Sequence, residues 1–136
     1  MTADTARAVL IADRDEVLRG LLKHFLNEAG LAVDFVGDGL AAFDLAVSKS
    51  PALIVTEILL PKMDGLALCR RLRLDSRTAT TPVVVFSILN AGTRASEAGA
   101  DAFLRKPLVE STFLTTVQGL IAAKATPKLE RPWVSQ

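Results

Sequence analysis

The chain has 136 residues, a formal charge of +1, a hydrophobic half, one cysteine and one histidine. That length suits one domain of about 100–150 residues, and no apolar run reaches the ~20 residues needed to cross a bilayer. The near-neutral charge argues against a broad basic face for nucleic acid, and the lone Cys69 cannot form an internal disulfide and reads as buried filler.

The opening MTADTARAVL lacks the basic, apolar and cleavage regions of a secretory signal, so a cytoplasmic protein without a membrane partner is expected. Ala8–Ala12 reads as a first strand. Val17, Leu18, Leu21, Leu22, Phe25, Leu26 and Ala29 then recur at helical spacing, and Gly30 stops that helix as a C-terminal glycine would. A second strand over 31–36 precedes a helix over 39–47. A third strand over 52–56 precedes a helix over Gly65–Leu74, with Asp64 placed to cap it. A fourth strand over 82–87 leads into 90–98, where the helical signal is weakest. Ala102–Arg105 and a helix over 110–123 complete the series.

The runs LIVT and VVVF are apolar throughout, as strands buried on both faces of a parallel sheet require. Alternation of such strands with helices predicts an α/β, doubly wound five-stranded parallel sheet with helices on both faces, spanning residues 1–123. Residues 124–136, KATPKLERPWVSQ, have no period and read as a C-terminal tail or linker. Trp133 and Val134 are apolar enough to be held against the domain or a neighbouring molecule. Arg70, Arg71, Arg73 and Arg77 read most simply as a solvated helix face, with a partner-binding patch as the alternative. His24 reads as a surface histidine.

In open parallel sheets functional side chains gather at the carboxyl ends of the strands. Asp13, Arg14 and Asp15 follow the first predicted strand, Glu57 the third, Ser87 ends the fourth, and Lys106 with Pro107 follows the fifth. Asp15 and Glu16 favour the N-terminal dipole of the first helix, and Asp15 is also near enough in sequence to join an acidic pocket.

The segments VLIADRDEVLRGLL, PALIVTEILLPKMDGLALCRRLR, PVVVFS and GADAFLRKPL resemble, in order, the motifs of response-regulator receiver domains, with the flavodoxin-like receiver fold. The resemblance reaches Ala123. In that family two neighbouring acids after the first strand and an aspartate after the third hold Mg²⁺, and that aspartate accepts a phosphoryl group from a partner's phosphohistidine. Asp13 matches the first acid, but Arg14 stands at the second and Glu57 at the acceptor. Ser87 matches the phosphate-responsive hydroxyl, Lys106 the family's lysine and Phe103 the aromatic switch, while Asp64 and Gly65 match a turn motif. The family commonly has a cis peptide before the proline that follows the lysine.

These departures predict a degenerate phosphorylation pocket made of Asp13, Arg14, Glu57, Ser87 and Lys106. At ~4 Å and an effective dielectric near 20, a like charge costs a bound cation on the order of 4 kcal/mol per unit charge, so Arg14 opposes Mg²⁺. Its guanidinium either bridges Asp13 and Glu57 bidentately, the expected arrangement, or projects into solvent. Lys106 is expected to pair with Glu57. The longer Glu57 side chain is misplaced for in-line attack. Ile88, where the family usually has a small residue, either closes the pocket mouth or turns into the core. The 87–106 segment is about three residues shorter than the family's usual spacing, which trims the fourth helix.

The resulting expectation is a phosphorylation-independent receiver, or pseudo-receiver, serving as a protein–protein interaction module in two-component signal transduction. It has no catalytic residue, metal or cofactor of its own. Its partner would be a signalling protein, histidine kinase-like or effector, with a homodimer possible and no direct nucleic-acid contact. The alternative is a working receiver that takes part in a phosphorelay through Glu57 or a neighbouring acid. A flavodoxin-like cofactor binder would need a glycine-rich loop after the first strand, and none is present.

Overall fold

A computed structural model describes residues 8–123 and 132–135. Along the chain run β1 (Ala8–Ala12), α1 (Glu16–Glu28), β2 (Ala32–Val36), α2 (Gly39–Lys49), β3 (Leu53–Thr56) and α3 (Gly65–Leu74). They are followed by β4 (Val83–Ser87), α4 (Gly92–Glu97), β5 (Ala102–Arg105), α5 (Glu110–Ala122) and β6 (Val134–Ser135). The strands form one sheet in the order β2-β1-β3-β4-β5-β6, and every pairing is parallel. The five expected strands are present, but the sheet has six: β6 lies in the segment read as tail. Two residues are too few to show a period, so the sequence pattern could not reveal it.

Side chains alternate across the strands and divide the interior in two. Leu10, Ile54, Val83, Val85 and Phe103 pack with Leu66, Leu68, Leu72 and Ala95, from α3 and α4, together with Phe43 from α2. Val9, Ile11, Leu53, Val55, Val84, Phe86 and Leu104 pack on the other face with Leu18, Leu22, Leu26, Phe113 and Val117, from α1 and α5. The continuous apolar runs in β3 and β4 are explained by burial on both faces.

The starts of α1 and α3 are fixed by aspartates. Asp15 Oδ1 accepts from the Val17 and Leu18 amides at 3.0 and 3.1 Å, and Asp64 Oδ1 from the Leu66 and Ala67 amides at 2.8 and 2.9 Å. Gly30, at φ 81°, ends α1 in the left-handed conformation. Gly65 meets a tighter demand, because a Cβ there would run into the Glu57 backbone carbonyl. Gly65→Ala is expected to cost more than about 2 kcal/mol, since the clash is with main chain rather than a mobile side chain. Urea denaturation of the variant checks this.

The arginine-rich stretch does not form the uniformly solvated face that its sequence suggests. Arg70 is exposed, but the Arg71 guanidinium lies 4.2 Å from the centre of the Phe43 ring. Arg73 donates to Gly99 O at 2.8 Å and Thr81 O at 2.6 Å, and its Nη2 pairs with the fully buried Asp101 at 2.8 Å. Asp101 also accepts from the Val83 amide at 2.9 Å. A planar donor fork can join several buried acceptors in this way. Arg77 pairs with Asp75 at the surface, and the exposed His24 lies 3.2 Å from Glu28. Cys69 is buried, as expected of apolar filler.

Candidate functional site

The sheet reverses its winding between β1 and β3, and the crevice beyond their carboxyl ends is where such folds gather function. Asp13 leaves β1, Glu57 leaves β3 and Lys106 leaves β5, so three short connections place their side chains together. Asp13 and Glu57 are 4% and 6% exposed. The Lys106 Nζ stands 3.0 Å from Asp13 Oδ2 and 3.0 Å from Glu57 Oε2. It also lies 5.6 Å from the centre of the Phe86 ring, which walls the site from the α1/α5 side.

The other carboxylate oxygens are engaged by backbone. Asp13 Oδ1 accepts from the Asp15 amide at 2.9 Å, and Glu57 Oε1 from the Ile58 amide at 2.6 Å. Ser87, fully buried at the end of β4, adjoins the Glu57 carboxylate and helps to hold it charged, and its Oγ accepts from the Leu89 amide at 3.2 Å. Arg19, which the sequence reading did not single out, holds the turn from beneath: its Nε and Nη2 donate to the Asp13 carbonyl at 2.8 and 2.6 Å. The only sequence signal was a cation in the second turn of the first helix. The Lys106–Pro107 peptide is cis, as expected.

Arg14 does not bridge the two acids. It is exposed and, among the described residues, makes no ion pair with either; it stands at the rim of a shallow cleft with Leu59, Asp64, Leu89 and Arg94. The reason is geometric. Each buried carboxylate already gives one oxygen to a backbone amide and the other to Lys106, and a compact ammonium spans them where a guanidinium would need more room. Ile88 is 57% exposed, so it faces outward rather than into the core. Asp15 caps α1 and does not join the carboxylate pair. Phe103 is buried beside α4, with its ring 3.6 Å from the position of a Cβ on Gly92.

The electrostatics follow from this packing. Burial pushes the Glu57 carboxyl up, but hydrogen bonds from Ser87, Lys106 and the Ile58 amide, with the Lys106 charge, outweigh it and hold the group below its usual 4.5. Burial pushes the Lys106 ammonium down, but hydrogen bonds and charge from Asp13 and Glu57 hold it above 10.5. Linkage then has two signs. The Glu57 contribution to stability is present above pH 4.5 and is lost as pH falls through its lowered folded value. The Lys106 contribution is present below pH 10.5 and is lost as pH rises through its raised folded value. Glu57→Gln should therefore show a shallower acid loss of stability than the parent, measured by urea denaturation as a function of pH.

An open parallel sheet with buried acids and an inward lysine at the carboxyl ends of β1, β3 and β5 defines a flavodoxin-like α/β protein of the receiver type. The sequence matches the response regulator receiver domain family over residues 9–118, and the chain belongs to that family. It is 36% identical over 116 residues to the DNA-binding dual master transcriptional regulator RpaA of Synechocystis, covering 83% of this chain and 48% of that protein. It is 30% identical over 116 residues to the response regulator MprA of a Mycobacterium species, covering 83% and 50%. The chain thus spans about half the length of these curated relatives.

Among solved structures, it superposes on the signal receiver domain of a signal transduction histidine kinase from Syntrophus aciditrophicus with a TM-score of 0.80 and 33% identity. That match covers 85% of this chain and 90% of that one. A response regulator from Chloroflexus aurantiacus superposes with a TM-score of 0.81 and 28% identity, covering 85% and 98%. The chain is therefore a response regulator receiver domain of two-component signalling.

Proposed function

We propose that this receiver works without phosphorylation, as a protein-interaction module whose pocket is held by internal ion pairing. The observation that carries this reading is Lys106, whose ammonium lies 3.0 Å from both Asp13 and Glu57. Mg²⁺ requires near-octahedral oxygen ligation at short range. The donor set here is two carboxylates already joined by a cation, with Arg14 at the position of the second of the family's neighbouring acids, and among the described residues no group of three acids, histidines or cysteines gathers to hold a metal. These residues do not fit Mg²⁺.

Glu57 cannot be both a free nucleophile and the acceptor of bonds from Lys106 and the Ile58 amide without breaking them. Its reach differs from aspartate by one methylene, and near-attack geometry tolerates errors well under that length. The signal then lies in the surface offered to a partner, a histidine kinase-like protein or an effector. Among the described residues no helix is long and apolar enough to cross a membrane, and a cytoplasmic partner suits this reading. Mg²⁺ titration followed by amide shifts of Asp13, Glu57 and Ile58 should show no saturable change into the millimolar range. A saturable shift at submillimolar Mg²⁺ would overturn metal-free operation.

A further inference from the structure

Without β6, the edge of the sheet would be β5, and an edge strand presents unpaired N–H and C=O groups that template another strand. The chain's own C-terminal residues cover that edge. Ala102 pairs with Val134 and Phe103 with Ser135, and the Val134 amide donates to Asp101 O at 3.2 Å. Successive side chains of this segment meet opposite walls. Trp133 and Ser135 lie along α4 beside Gly92 and Glu97, whereas Val134 lies along α5 beside Thr116 and Leu120. Val134 packs onto the core shared by α1 and α5.

The cover is partial. Among the described residues two pair, Trp133 remains 39% exposed, and a Cβ on Gly119, on the α5 wall that Val134 faces, would meet no other described residue within 4 Å. At six residues, α4 is the shortest helix and covers little of the edge by itself.

We infer that the groove between α4 and α5, floored by β5, is a strand-addition site for an extended peptide segment, occupied in cis by residues 132–135 as an exchangeable plug. Backbone pairing supplies its affinity, and the two walls read alternate side chains. Only residues 123–131 separate the plug from α5, and so short a tether gives an effective concentration on the order of millimolar. A two-residue pairing can therefore cover the groove while yielding to a separate segment that binds in the micromolar range. The space beside Gly119 favours a competitor with a side chain larger than valine at the Val134 position. The inference deepens the interaction reading by naming its surface, and it rests on that reading only for its biological use; the Mg²⁺ titration and the test below fail independently.

Trp133 is the sole tryptophan, so its emission reports the plug directly in the full chain. Val134→Pro removes the amide that donates to Asp101 and cannot continue the pairing. Val134→Asp keeps the amide but opposes burial. Both variants should retain the parent's far-ultraviolet circular dichroism, red-shift Trp133 emission and raise its quenching by iodide. A fluorescein-labelled peptide of sequence 129–136 should bind Val134→Pro at least about tenfold more tightly than it binds the parent. The same peptide with leucine for valine should bind about fourfold more tightly again, the effect of one added buried methylene. Unchanged Trp133 quenching in both variants, or equal peptide binding by parent and variant, would overturn the inference, as would no binding by a variant whose Trp133 is freely quenched. Trp133 protection that grows with protein concentration would assign the strand to a second copy and overturn occupation in cis.

Discussion

Replacing Lys106 with methionine is expected to destabilise the domain by about 3–5 kcal/mol at neutral pH, the range for removing one partner of a buried ion pair. The effect is large because one cation serves two acids. The side chains of Asp13 and Glu57 are 6% and 7% exposed, and each takes one of its charge partners from Lys106. Methionine preserves length and apolar contact with Phe86, so the loss isolates charge rather than packing. The deficit must shrink as pH falls and the Glu57 carboxyl, no longer held in the charged form by Lys106, takes up a proton. Urea denaturation of both proteins across pH measures it. A uniform deficit at all pH values would mean that Lys106 acts by packing alone.

The second large effect is a gain. Arg14→Asp combined with Glu57→Asp should bring Mg²⁺ binding into the measurable range and permit phosphoryl acceptance from a small acyl phosphate. Reversing the charge at position 14 changes the local field by two units. Because Arg14 is exposed, the aqueous limit of about 1 kcal/mol per pair of unit charges at 4 Å applies, and for a divalent ion this is about 4 kcal/mol, a gain on the order of a thousandfold before any new ligand bond is counted. Shortening residue 57 withdraws its carboxylate from the Ile58 amide and the Lys106 ammonium that now hold it. Calorimetric Mg²⁺ titration reads the first effect and intact mass the second. A double variant as indifferent to Mg²⁺ as the parent would place the block elsewhere, for instance at the exposed Ile88.

Much of the fold was legible because the signals were local and redundant. The first and fifth strands and the third helix fall where the apolar runs and Asp64 place them, and the uninterrupted LIVT and VVVF correctly imply parallel strands covered on both faces. The pocket members were legible from their positions at strand ends, because a parallel sheet brings those ends together. What the sequence did not show was which cation would win. Arg14 adjoins Asp13 in sequence, yet Lys106, from 93 positions away, takes the bond, since a residue next to the acid in a tight turn points away from it. Arg73 misled for a related reason: helical spacing marks a face, but not a buried aspartate brought over it by the β4–β5 connection. The edge pairing of Val134 and Ser135 was legible only in part: the apolar Trp133 and Val134 suggested a segment held against the domain or a neighbour, but the main-chain bonding that selects β5 leaves no residue signature.

The central claim is that Asp13 and Glu57 are committed to Lys106 and so do not take part in phosphoryl transfer. Incubation of the full chain with Mg²⁺ and a small acyl phosphate, followed by intact-mass measurement, tests it most directly. The expected spectrum contains the unmodified mass alone. A stoichiometric increase of one phosphoryl group, removed by hydroxylamine and mapped to Glu57 or a neighbouring acid, would contradict it.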